Sequence, residues 1–194
     1  MNDQISFPGL SHNPNASAAQ LDNELECNPD NPVDVEAVAR HRNTSEKTLR
    51  GLATHTDPNV VNSVAGNEST PPDLLLDLAS DPRQFVREGL AGNRKAPVPA
   101  LEKLHKDPSP SVRGALALNP AAVQGDLLSK LEKDDDPNVR GNARFTQEAL
   151  RRYGEWVSKQ GGREILPDER ETCFANIRQS LREEGPESTL ASVV

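Results

Sequence analysis

The side chains with the most chemical potential in this 194-residue sequence are arginines in register. Arg87, Arg113 and Arg140 hold one position in three successive copies of a motif: Val86-Arg87, Val112-Arg113 and Val139-Arg140. A row of guanidiniums at a fixed step can offer forked donors to a ligand's phosphates or carboxylates. It can equally tie neighbouring copies together, each Arg pairing with a capping Asp or with helix-end carbonyls. Val35 and Val61 occupy the same column in earlier copies, which disfavours a dedicated phosphate track. The structural ladder is therefore the stronger reading.

A second candidate is local charge. Residues 83–113 hold seven bases (Arg83, Arg87, Arg94, Lys95, Lys103, Lys106, Arg113) against three acids. With Arg140 these form a candidate binding surface. Phe85 is its only aromatic residue, and base stacking needs more, so single-strand readout is disfavoured. Tyr153 and Trp156 are candidate anchors for a partner, or else part of a buried cap. Catalytic chemistry finds no footing. His12, His41, His55 and His105 are scattered, Cys27 and Cys173 have no nearby His, and no Gly-rich phosphate loop appears. Neither a metal site nor a cofactor is expected, nor a small-molecule substrate.

The formal charge of −8 sits in the two ends. Residues 1–33 carry −5, residues 34–162 are neutral, and residues 163–194 carry −3. This argues against a whole-chain acidic DNA mimic. Only local patches bear on nucleic-acid binding. No apolar run approaches the ~18 residues of a membrane span. No basic-then-apolar leader opens the sequence, so a cytoplasmic location is expected.

The elements that position the arginines come from an internal repeat. Val60 to Asn67, Val86 to Asn93 and Val112 to Asn119 align at a step of 26, and Val139-Arg140 follows at 27. Leu49/Leu52, Leu75/Leu78 and Leu101/Leu104 repeat at the same step. Leu128/Leu131 come 27 later, so one residue is inserted between Asn119 and Leu127. Residues 13–25 read as a degraded half-unit, giving about four and a half units. Each unit reads as two short helices. Asp57-Pro58, Asp81-Pro82, Asp107-Pro108 and Asp136-Pro137 are expected to open the first, with Asp as N-cap and Pro at N1. Asn67, Asn93 and Asn119 are expected to end it, Asn tolerating a left-handed turn. Thr70 is expected to cap the second helix, with Asp73 three residues on. Helices this short gain stability only by stacking on neighbouring units.

The pattern Asp-Pro…Val-Arg-x-x-Leu-Ala-x-Asn…Pro-Pro-x-Leu-Leu-x-x-Leu-Ala resembles the leucine-rich repeat variant family, best over 57–80 and 81–106 and more loosely over 107–133. The resemblance implies an all-α, right-handed α-solenoid in which α-helices alternate with short 3-10 helices. It implies an interaction surface rather than an activity. Some members bind an N-terminal iron–sulfur cluster through clustered cysteines; Cys27 stands alone here, so no cluster is expected.

The expected organisation is a flexible acidic arm at 1–12, a helical repeat array at 13–136, and a longer capping helix at 137–160. An acidic tail follows at 163–194, with a possible helix at 167–184 carrying Phe174, Ile177 and Leu181 on one face, and disorder from 185. The expected function is a non-catalytic protein–protein interaction module or adaptor whose partner is another protein. The alternative is a nucleic-acid binder using the basic face at 83–113.

Overall fold

The computed structural model describes residues 13–27, 31–161 and 167–188; the arm at 1–12 and residues 189–194 of the tail lie outside them. Every described element is helical. Two kinds of helix alternate. One row comprises α2 (Pro32–Arg40), α4 (Pro58–Gly66), α6 (Gln84–Gly92), α8 (Pro110–Ala117) and α10 (Pro137–Lys159), each packed on the next. Between them run α1 (Ala18–Cys27), α3 (Glu46–Leu52), α5 (Pro72–Leu78), α7 (Val98–Leu104), a 3-10 segment (Pro120–Asp126) and α9 (Leu127–Leu131). The last helix, α11 (Pro167–Ser188), packs on α10.

The core lies between the rows and is built from the expected columns. Val60, Val86, Val112 and Val139 are buried, as are Val64, Leu90 and Leu116, and Leu75, Leu101 and Leu128. The closest approach in the long-helix row is at Gly89. A Cβ there would stand 2.6 Å from the carbonyl oxygen of Asn62, so only glycine lets α6 lie this near α4.

The turns correct several local expectations. Asp57 and Asp136 are N-caps, accepting backbone N–H groups of Asn59 and Asn138 at 2.8 Å. Asp81 and Asp107 are not: α6 is capped at Arg83 and α8 at Ser109. The reason is register. The Asp-Pro pairs do not all keep the 26-residue step, and Asp81 and Asp107 fall two residues earlier in the unit. There each accepts the N–H two positions on, from Arg83 (2.8 Å) and Ser109 (2.9 Å). His55 Nδ1 and Asp134 take the same place in their units, accepting from Asp57 and Asp136.

The asparagines are extended rather than left-handed, with φ between −72° and −83°. Thr70 does not cap α5; its hydroxyl donates back to the Val64 carbonyl at 2.6 Å, as Thr44 does to Val38 at 2.5 Å. The second-row helices α3, α5 and α7 are α-helical. Among the described residues, 3-10 geometry occurs at Pro120–Asp126, where the extra residue falls. The last residues of that segment leave helical geometry: Gln124 is extended (ψ 143°), and Gly125 (φ 68°) and Asp126 (φ 59°) are left-handed directly before α9. Asp tolerates this conformation better than most residues.

The capping helix spans Pro137–Lys159 and ends at left-handed Gly161. It runs on because Thr146, 27 residues after Asn119, stands where an asparagine would turn the chain. The tail helix extends to Ser188, beyond the expected 184. Leu181 is buried and Ile177 half-buried, while the side chain of Phe174 lies outside those described.

Candidate interaction surface

The arginine column is a ladder. Arg87 Nη1 donates to the carbonyls of Asp81 (2.7 Å) and Pro82 (3.2 Å) in its own unit. Its Nε and Nη2 grip the carboxylate of Asp107 in the next unit at 2.6 and 3.1 Å. Arg113 repeats this, with Nη1 on Asp107 O (2.7 Å) and its fork on Asp134 at 2.7 and 2.9 Å. Both pairs are largely shielded, with side-chain exposures of 13% and 4% for Arg87–Asp107 and 15% and 8% for Arg113–Asp134. Burial opposes ionisation of Asp107, but the Arg87 hydrogen bond, the Ser109 N–H and the nearby guanidiniums outweigh it, holding the carboxyl below its ordinary value. Asp134 is held down chiefly by the Arg113 hydrogen bond. Val61 has no fork to offer Asp81, so Arg83 fills in from the same turn, bonding both carboxylate oxygens within 2.9 Å.

The asparagine column is the buried counterpart at the other helix ends. Each amide donates twice to the previous unit: Asn67 to Ala39 O and His41 O, Asn93 to Ala65 O and Asn67 O, Asn119 to Ala91 O and Asn93 O, all at 2.8–3.0 Å. Each Oδ1 accepts a backbone N–H two residues on. His41, aligned with them, imitates an asparagine. Its Nδ1 accepts the Asn43 N–H at 3.1 Å, which leaves Nε2 to donate to Asn13 O at 2.9 Å.

Several cations of the basic surface read from sequence have partners within the chain. Arg83, Arg87 and Arg113 are paired with carboxylates. Lys103 caps Leu76 O and Ser80 at 3.3 Å, and Lys95 sits 3.8 Å from Glu68. Arg94 and Lys106 are exposed. Sequence reasoning missed that α11 adds cations beside Arg94. Arg178 donates to Leu118 O at 2.8 Å, and burial together with the charges of Arg94 and Arg182 shifts its pKa down. A contact 60 residues apart leaves no periodic trace in the sequence.

Tyr153 and Trp156 stack with centroids 6.0 Å apart, both half-buried. Trp156 lines an open groove of about 600 Å³ between α10 and α11, with Arg152, Cys173, Ile177 and Ser180. Burial raises the Cys173 thiol pKa, the direction away from a reactive thiolate. Among the described residues no cluster of His, Cys, Asp and Glu could hold a metal, and no helix is long and apolar enough to cross a membrane. Comparison with protein-family models, curated proteins and solved structures gave no match to this chain.

Proposed function

We propose that the chain is a right-handed α-solenoid of about 26-residue repeats, of the leucine-rich repeat variant kind. It acts in the cytoplasm as a non-catalytic adaptor that binds another protein. The observation that carries this reading is the internal use of the column arginines: Arg87 and Arg113 hold Asp107 and Asp134, so they are not a phosphate track. What remains outward is a mixed surface with Arg94 and Lys106, and exposed apolar side chains at Phe85, Leu118 and Val123. Mixed charge with scattered apolar contacts suits a protein partner.

The nucleic-acid reading retains one observation, the charges of Arg94 and Arg182 near Arg178. Three guanidiniums are fewer than the roughly 6–10 phosphate contacts of steeply salt-dependent binders. The test is a pull-down with the purified full chain, followed by reconstitution of any captured protein. A stoichiometric complex weakened by charge reversal at Arg94 and Lys95 supports the adaptor. Duplex binding in a gel shift that collapses between low and moderate salt, with no protein complex, replaces it with the alternative.

A further inference from the structure

The arginine ladder is open at its C-terminal rung. Arg140 Nη1 donates to Asp134 O (2.7 Å) and Asp135 O (2.9 Å), matching the way Arg87 and Arg113 are pinned to their own turns. In those two units the Nε–Nη2 edge then takes the carboxylate of an Asp lying 20 or 21 residues later. For Arg140 that spacing falls on Gln160 and Gly161, neither of which has a carboxylate. The absence follows from the fold. With no asparagine to end it, α10 continues to Lys159 and carries residue 160 about 30 Å along the helix axis. Among the described residues no side chain accepts from the free edge of Arg140, which is half-exposed.

A guanidinium pinned by one nitrogen, with its Nε–Nη2 edge left unbonded, is preorganised for a carboxylate, because little rotamer freedom remains to be lost. We propose that Arg140 is a docking point for an acidic residue of a partner protein, presented as Asp107 and Asp134 are: an Asp in the turn that heads a helix, two residues before the helix cap. The partner thus occupies the place of the next repeat. This rests on the adaptor reading and assigns it a contact.

The experiment follows the side-chain Nε–H resonances of the full-length, isotope-labelled chain by NMR. The probe is a synthetic peptide of residues 105–118 of this sequence, which carries the Asp107 turn. Arg140 alone among the three ladder arginines is expected to shift saturably. A peptide with Asp107→Asn is expected to bind about fivefold more weakly, the scale of one exposed charge pair. In Arg140→Gln the two peptides are expected to bind equally. Arg140→Lys, which keeps the charge but not the fork, is expected to recover only part of the difference.

Unchanged Arg87 and Arg113 resonances in both variants establish that each is folded. Three results overturn the proposal: an Arg140 resonance that ignores the peptide, one already placed with Arg87 and Arg113 in the free chain, or one that moves on dilution of the chain alone. The second means an internal carboxylate fills the fork, and the third means a second copy does. A protein partner retained by Arg140→Gln leaves the adaptor role standing and removes only this site.

Discussion

The two ends of the long helices solve one problem in opposite ways. At the C-terminal ends, asparagines at 5%, 1% and 2% exposure link unit to unit through neutral amides. At the N-terminal ends, guanidinium–carboxylate pairs do the linking in a rim that is only partly dry. A neutral amide costs less to desolvate than a charge, so it suits the buried end. A charge pair tolerates the wetter rim and lets the chain vary: where Val61 replaces arginine, Arg83 takes over Asp81. At the buried end the substitute must copy the amide's donor and acceptor, as His41 does. The contrast teaches that the inner ladder specifies the stack and the outer ladder adjusts it.

The largest expected effect breaks the inner ladder. Asn93→Ala strips the Ala65 carbonyl and the Lys95 N–H of their Asn93 partners in a largely dry site, and leaves the Asn67 carbonyl with the Thr70 N–H alone. A loss of about 3 kcal/mol is expected, since each orphaned buried group costs about 1–3 kcal/mol. Denaturant unfolding should show that loss unchanged between pH 5 and 8 and insensitive to salt. A loss that salt reduces would mean that the two ladders do not differ in kind.

The outer ladder should give a smaller and pH-dependent effect. Asp134→Asn is expected to cost about 1.5 kcal/mol at pH 7, the lower end of the range for a hydrogen bond to a charged group. Asp134 is held below its ordinary pKa by the Arg113 hydrogen bond, the Asp136 N–H and nearby positive charge, against burial. A depressed folded-state pKa contributes stability that is present above the unfolded value, about 4, and lost as pH falls below it. The wild type should therefore lose its advantage over the variant progressively in the acid range below about pH 4. Paired unfolding curves across that interval check it, and a gap that stays constant to pH 2 would sink the assignment.

Much of this was legible in the residues, and what was not had physical causes. Leu and Val at a fixed step marked the buried columns, because residues at the same step lie between similarly packed neighbouring helices. The long helix at 137–159 could be read from the missing asparagine and the amphipathic run that follows. The Asp-Pro register misled because Asp is chemically suited both to an N-cap and to a turn two residues earlier. The dipeptide alone does not separate them; the step of 26 does, since it aligns Asp81 and Asp107 with His55 rather than with Asp57. Composition suggested a basic surface at 83–113, but a count of cations says nothing about partners 20 residues away. The placement of Arg178 beside Leu118 rests on tertiary packing without periodicity.

The smallest expected effect has the opposite sign and tests why the inner ladder stops. Thr146 holds the asparagine position of the last unit, is fully buried, and its hydroxyl has no hydrogen-bond partner. If the inner column needs polarity only where a turn exposes carbonyls to be bridged, polarity is useless at Thr146, since α10 continues and consumes its own carbonyls. Valine has nearly the same shape without the hydroxyl. Thr146→Val is therefore expected to raise stability by up to about 1 kcal/mol, the lower end of the cost of burying an unpartnered polar group. Its melting temperature relative to wild type measures this. Destabilisation by a similar amount would mean that the hydroxyl is bonded in solution and that the inner ladder extends one rung further than its asparagines.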